Sequence, residues 1–429
     1  MIYTLAYTLA LAGLLPYEYL KRPGAIRRRW FRERFGIPGI SVKGRSVWIH
    51  AVSVGETIAA VPLVKRLKER DSSLEVVLST VTDTGQKVAR ERLGDLAQVI
   101  YMPFDLPGVI ERLTRKINPS LFIIMETELW PNVIRILREK GVPVVLMNGR
   151  ISERSFRGYS RIRFFMTPLL RRISLFCMQD RIYAERIRSL GADPASVRVI
   201  GSFKFDTIPS SPVPEWTELF KGKGPGSGGQ GPVIIAGSTH RPEEEIILDA
   251  FEKPRPEFPS LSLILAPRHP ERFREVEEIL QKRGLEYLKR SEIKGHGPVG
   301  AYGHTPLLAP HGFVVLLDVI GELGAVYGAA DIAVMGGSFI EHGGQNPLEP
   351  AFWGKPILCG PHMENFPFIG EFYEQGGAKQ VDARSLSGAI RELLSSPDEA
   401  ASMGITARAL YEKNSGAVER AMELLERYL

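Results

Sequence analysis

Two acidic stretches, one lysine and four loop clusters carry the residues of this 429-residue chain that could do chemistry. In Val52-Ser53-Val54-Gly55-Glu56-Thr57 a carboxylate follows a strand-like run at a glycine turn. Ser53 and Glu56 have the spacing of a capping box, a structural role in itself; a helix N-terminus would also keep Glu56 ionised, as a general base must be. In Met125-Glu126-Thr127-Glu128-Leu129-Trp130-Pro131-Asn132 two carboxylates come directly after the hydrophobic run Leu121 to Met125. Burying both without partners is costly, so at least one is expected to be functional, with N-capping open to the other. Lys204, in Ile200-Gly-Ser-Phe-Lys-Phe-Asp206, precedes a Gly/Pro-rich stretch. It is either a cation at a cleft or an ordinary exposed lysine.

The second half holds Ala236-Gly237-Ser238-Thr239-His240, Ala266-Pro267-Arg268-His269-Pro270, Ile320-Gly321-Glu322-Leu323 and the stretch Gly336 to Leu358. Each follows an apolar run, so each should lie at the carboxyl end of a strand, where open α/β sheets bind ligands. Arg268 has the planar donor fork for a phosphate, and Glu349 could accept from both hydroxyls of a ribose. Gly336-Gly337-Ser338 reads as a turn whose amides are left bare for a ligand. In Asn346-Pro347-Leu348-Glu349 proline stands where a helix could start, with a carboxylate in its first turn. The chain has no DxD pair, no HxxE helix and no His/Cys ligand set, and its eight histidines are scattered. Spacing therefore indicates no metal.

These clusters need elements to hold them, and the alternation of apolar runs with amphipathic stretches supplies a βαβ rhythm. Ser46 to Val52 precedes a helical stretch from about Glu56 to Arg70, and Leu74 to Thr80 precedes one from Asp83 to Leu93. Such a rhythm predicts parallel sheets covered by helices on both faces. It pauses over residues 209–232, rich in Gly, Pro and Ser, which reads as an exposed linker. Strand-like runs then resume at Val233, Ser262, Val314, Asp331 and Pro356. The parse is an N-terminal segment 1–45, a first α/β domain 46–208, the linker 209–232, and a second α/β domain 233–429 with C-terminal helices. Ser415 would cap the last of them.

The net charge of +6 belongs to one end. Residues 1–45 contribute +7 and the remainder −1. Before the basic run, Met1 to Tyr17 is uncharged, which is short for a spanning helix of about 20 residues and is weakened by Thr4, Thr8 and Pro16. It lacks the positive n-region of a secretory signal. Positive charge directly after it predicts that the rest of the chain stays cytoplasmic, whether the segment spans the membrane or lies in its interface. Arg27 to Arg34 would then meet anionic head groups, at about 1 kcal/mol per basic residue. A second stretch, Arg150 to Arg172, mixes seven arginines with Phe156, Tyr159, Phe164 and Phe165. It suits a surface that meets phosphate and acyl chains, or a solvated helix face packed on a core. Nucleic acid is not expected, because no recognised motif accompanies the charge. Cys177 and Cys359 read as buried free thiols.

With these residues in place, the chain resembles the 3-deoxy-D-manno-octulosonic acid (Kdo) transferases of lipopolysaccharide synthesis. HAVSVGE, METELWPN, NGRISERSF, GSFKFD, GSTH, APRHPER, GEL and GGSFIEHGGQNPLEPAFWGKP occur in the family's order across nearly the whole chain. The resemblance implies a GT-B glycosyltransferase fold of two Rossmann-like domains. It also implies transfer of Kdo from CMP-Kdo to the 6'-hydroxyl of a lipid A precursor (lipid IVA), with inversion, at the cytoplasmic face of the bacterial inner membrane and with no cofactor. By motif, Glu56 is the general base, and Glu126 and Lys204 match positions that stabilise the transition state. Pro267, Arg268, Ile320, Gly321, Glu322 and Asn346 to Glu349 match CMP-binding positions, to which the glycine turn Gly336-Gly337-Ser338 is added from its sequence. Ser202-Phe203 replaces the asparagine-leucine pair frequent before the family's lysine and leaves Lys204 intact. The competing readings are another GT-B enzyme that uses a UDP-sugar, and a membrane-attached binding protein on a degenerate transferase scaffold.

Overall fold

The computed structural model describes residues 2–207, 212–220, 231–293 and 312–429. They form two compact units, one of residues 1–207 with 414–429 and the other of residues 208–413.

In the first unit β1 (Ser46–His50), β2 (Glu75–Thr80), β3 (Gln98–Tyr101), β4 (Pro119–Met125), β5 (Val144–Gly149), β6 (Leu175–Met178) and β7 (Val197–Val199) form one parallel sheet in the order β3-β2-β1-β4-β5-β6-β7. The strands are near-continuous apolar runs because both faces are covered. Successive residues of β1 show it: Val47 and Ile49 enter one core with the helix Val54–Arg70, while Trp48 enters the other with Phe122. The order reverses between β1 and β4, and the crevice beyond that switch point is where such sheets take ligands.

The second unit repeats the plan with β8 (Val233–Thr239), β9 (Ser262–Pro267), β10 (Tyr287–Lys289), β11 (Val314–Leu316), β12 (Ile332–Met335), β13 (Ile357–Cys359) and β14 (Ala378–Gln380). The order is β10-β11-β9-β8-β12-β13-β14, all parallel, with its switch between β8 and β12.

Two expectations need correction. Residues 414–429 belong to the first unit and not to the second. The helix Ala417–Leu425 buries Ala417, Val418, Ala421 and Leu425 against the core of the helix Val54–Arg70. Its N-terminus is held by the Asp206 carboxylate, which accepts from Gly416 N (2.6 Å) and Val418 N (2.7 Å), so Ser415 is not the cap. The linker 209–232 is not simply exposed: Glu215–Phe220 is a 3-10 turn whose Trp216 and Phe220 are buried in the second unit, while 209–211 and 221–230 lie outside the described residues.

In sequence the N-terminal segment leaves spanning and interfacial alternatives open. Among the described residues no helix is long and apolar enough to cross a membrane. The helix Ile2–Leu20 instead docks one side on the first unit, where Tyr7, Leu11, Leu15 and Tyr19 pack against Trp30, Tyr101 and Phe104. Tyr3 Oη donates to Asp105 (2.8 Å), and Tyr7 Oη accepts from Asp105 N (3.3 Å). The other side, with Leu5, Leu9, Tyr17 and Leu20, stays exposed.

Asp206→Ala removes the acceptor for two helix-end amides. It should cost about 1–2 kcal/mol, seen as a lower urea midpoint, and Asp206→Asn should retain most of that stability.

Candidate active site

In the first unit the ends of β1, β4, β5 and β7 bring five charged side chains into electrostatic contact. Glu56 stands in the first turn of the helix Val54–Arg70, just beyond β1. Its carboxylate accepts from Val52 N (2.7 Å) and Ser53 Oγ (3.0 Å), and Ser53 Oγ accepts from Glu56 N (3.4 Å). The capping box therefore forms, and each carboxylate oxygen keeps a further lone pair. Burial raises the Glu56 pKa despite these bonds and the Arg150 charge. The expected effect of the helix N-terminus is thus outweighed by desolvation.

Glu126 follows β4 with φ 56°, in the left-handed region. A non-glycine residue there costs on the order of 1 kcal/mol, a strain found at functional sites. Burial raises its pKa, Arg150 and Lys204 oppose, and Glu56 adds to the rise. Glu128 is raised by burial and then by Glu56 and Glu126. Neither caps the next helix, Pro131–Glu139, contrary to the capping alternative. Asp105 does so, accepting from Asn132 N (3.0 Å) and Val133 N (2.9 Å). Lys204 sits in the 3-10 turn Phe203–Asp206 after β7, and burial and Arg150 lower its pKa while Glu126 raises it.

Arg150 is the member that the sequence did not single out. It lies one residue beyond β5, and Thr127 Oγ1 donates to its carbonyl, tying the ends of β4 and β5 together. Beneath them His50 is fully buried and pushed down to about 3 by that burial. It is therefore neutral, with Nδ1 facing Ser79 O (3.1 Å) and Nε2 accepting from Trp130 Nε1 (3.0 Å). This bridge fixes Trp130 of the acidic loop to β1.

The second unit gathers most of its expected residues at its switch point. Pro267 ends β9, and Arg268 follows, its N–H donating to Thr239 O (3.0 Å) at the end of β8. Arg268 acts on Glu349, whose carboxyl burial pushes up to about 7 while Arg268 and a hydrogen bond with Asn346 oppose. Asn346 Oδ1 also accepts from Leu348 N (3.2 Å), with Pro347 between them, at the start of the short helix Leu348–Phe352. Ile320 is exposed and Gly321 has φ 97°. The Glu322 carboxylate is taken by Arg290 (2.8 and 2.9 Å) and Trp216 Nε1 (2.9 Å).

The turn Gly336-Gly337-Ser338 is corrected in one respect: the amides of Gly336 and Gly337 are not bare. Gly337 N (2.6 Å) and Phe339 N (2.9 Å) donate to the buried Glu243 carboxylate, and Gly336 N donates to Gly237 O. Ser338 Oγ donates to Met335 O and accepts from Gly360 N (2.7 Å). Glycine is still required at 336, where a Cβ would strike the carbonyl oxygens of Ser238 and Gly237. Among the described residues no group of three or more His, Cys, Asp and Glu is arranged to hold a metal ion.

Comparison with known proteins places the whole chain in a family. The family model of 3-deoxy-D-manno-octulosonic acid transferases matches residues 29–207. A protein of that name from Haemophilus influenzae is 35% identical over 411 residues, covering 94% of this chain and 92% of its own length. Another from Bordetella pertussis is 34% identical over 444 residues, covering 99% of both. Among solved structures, the UDP-GlcNAc 2-epimerase of Neisseria meningitidis superposes with a TM-score of 0.57 over 89% of this chain and all of its own, at 12% identity, a likeness of fold alone. With two parallel-sheet α/β units and relatives 34% and 35% identical over nearly its whole length, the chain is a member of the Kdo transferase family of glycosyltransferases.

Proposed function

We propose that the chain transfers Kdo from CMP-Kdo to a lipid A precursor, lipid IVA, in lipopolysaccharide synthesis, with inversion at the anomeric carbon. The observation that carries this reading is the cluster Glu56, Glu126, Glu128, Arg150 and Lys204 beyond the switch point of the first sheet. Glu56 takes the proton of the acceptor hydroxyl as its oxygen attacks the anomeric carbon and CMP departs. Its raised pKa makes it a stronger base than an ordinary glutamate, and Val52 N and Ser53 Oγ keep it aimed. Glu126, Lys204 and Arg150 answer the charge that develops in the transition state.

In the second unit Arg268 takes the CMP phosphate and Glu349 the ribose hydroxyls. With the Glu322 carboxylate held by Arg290, the segment Ile320 to Glu322 contributes through its backbone. Gly336 to Ser338 and Asn346 to Leu348 shape the wall beside them. Side-chain cations neutralise the leaving group, and the reading assigns no metal or cofactor.

The membrane is met by the exposed side of the helix Ile2–Leu20. Tyr3 of that helix lies 6.2 Å, ring to ring, from Phe165, next to Phe164, which is 82% exposed. Apolar side chains of the N-terminal helix and of the basic stretch thus adjoin on one unit, and Glu128 of the charged cluster acts on Tyr159 in the same stretch. A groove of about 940 Å³ lined by Arg28, Arg29, Arg32 and Arg90, with Asp95 and with Glu33 paired to Arg29 (2.6 Å), has an excess of cations for anionic head groups. This suits an interfacial attachment at the cytoplasmic face of the inner membrane.

Glu56→Gln should lower kcat/KM by about 100- to 10,000-fold without changing CMP affinity, and a fully active variant would remove Glu56 as the base. Because the base acts when deprotonated and its pKa is raised, the acid limb of kcat/KM should lie above that of an ordinary glutamate. Arg150→Met should move it higher still, since the arginine favours ionised Glu56. Affinity for CMP-Kdo should weaken as pH falls through about 7, because ribose hydroxyls bind the ionised Glu349, and Glu349→Gln should flatten that dependence. Leu5→Glu with Leu9→Glu, both on the exposed side, should reduce sedimentation with anionic vesicles and spare CMP binding.

A further inference from the structure

Three of the eight scattered histidines come together in the second unit, from three different strand ends. His240 follows β8, His269 lies two residues beyond β9, and His342 stands in the loop after β12. The ring of His240 lies 4.0 Å from that of His342 and 5.3 Å from that of His269, centroid to centroid. His240 is buried at the base, and the other two are exposed around it. Gln345 Nε2 sits 3.0 Å from His240 Nε2. With that amide donating, His240 carries its proton on Nδ1 as a donor.

The charges around the rings favour an incoming anion. Arg268 adds positive potential, which together with His342, His269 and above all burial pushes His240 down to about 4. Of the neighbouring carboxylates, Glu243, Glu244 and Glu275 are committed elsewhere. Glu243 accepts from three backbone amides, of His240, Gly337 and Phe339. Glu244 accepts from Thr239 Oγ1 and pairs with Arg272, and Glu275 pairs with Arg241 and Arg272. Glu271 reaches only the outer side chain, 3.9 Å from His269 Nδ1. Three imidazoles and an arginine therefore gather at the switch point, where their N–H groups are donors for a bound anion.

We infer that His240, His269 and His342 form the subsite for the carboxylate of the transferred sugar acid. This rests on the donor assignment above. A nucleotide-linked sugar acid brings two anionic groups to the second unit, a phosphodiester and a carboxylate. Arg268 and the loop before Glu349 suit the nucleotide, whereas the imidazoles, grouped around His240 at the end of β8, are donors that CMP alone does not need. The three histidines are positioning residues that separate an acidic-sugar nucleotide from its free nucleotide.

The test compares two ligands on the full chain. His342→Ala, at an exposed position, and His240→Asn should each raise the KM for CMP-Kdo by about tenfold or more, as loss of a hydrogen bond to a charged group does. The inhibition constant of CMP should stay within about twofold of the unsubstituted value, and His342→Gln should recover part of the loss. Equal weakening of both ligands would assign the rings to the nucleotide or to folding, and unchanged constants in both variants would remove the subsite. If the unsubstituted protein binds neither CMP nor CMP-Kdo, the donor assignment falls and the subsite with it.

Discussion

Loop amides at the mouth of a parallel sheet have no ladder partner, and in each unit a buried carboxylate takes them up. Asp105 accepts from the amides of Asn132 and Val133 and from the Tyr3 hydroxyl, so one side chain sets the helix after the acidic loop and docks the N-terminal helix. Glu243 accepts from His240, Gly337 and Phe339, drawing the loops of β8 and β12 together across the switch point. Burial raises the pKa of both groups, and the amide hydrogen bonds oppose that rise. Removing either would leave several buried donors unsatisfied, at about 1–3 kcal/mol each.

On that bracing rest two sites of opposite character. The first unit crowds three carboxylates whose pKa values are all raised by burial, with Arg150 and Lys204 as the opposing charges. Like charges held close in a desolvated crevice shift one another, which is how a glutamate becomes a base at neutral pH. The second unit crowds Arg268 and three imidazoles, an environment for anions. The transfer proposed above, from an anionic donor to a hydroxyl, calls for both kinds of surroundings, and each sheet provides one.

Much of this was legible because parallel strands buried on both faces are near-continuous apolar runs. The helix Asp83–Leu93 falls where its amphipathic pattern put it, and the chemistry-bearing loops do follow strands. Short strands such as β7, β10 and β14 hold three residues each, too few for any pattern. Arg150 was hidden among seven arginines, since only its place in the fold, with the Thr127 hydrogen bond and its charge acting on Glu56 and Glu126, reveals that it belongs to the acidic loop. The bare-amide reading of Gly337 failed because its partner, Glu243, lies 94 residues earlier. The histidines looked scattered for the same reason: the sheet order, not their spacing, makes them neighbours.

The return of residues 414–429 to the first unit makes the second unit an insertion within the first, entered after Thr207 and left after Lys413. Asp206, next to the point of departure, grips Gly416 and Val418, next to the point of return. During synthesis, then, every residue of the second unit leaves the ribosome before the first unit has its full core. The unit bearing Glu56 waits, with part of the surface of the helix Val54–Arg70 uncovered, until the helix Ala417–Leu425 has been made.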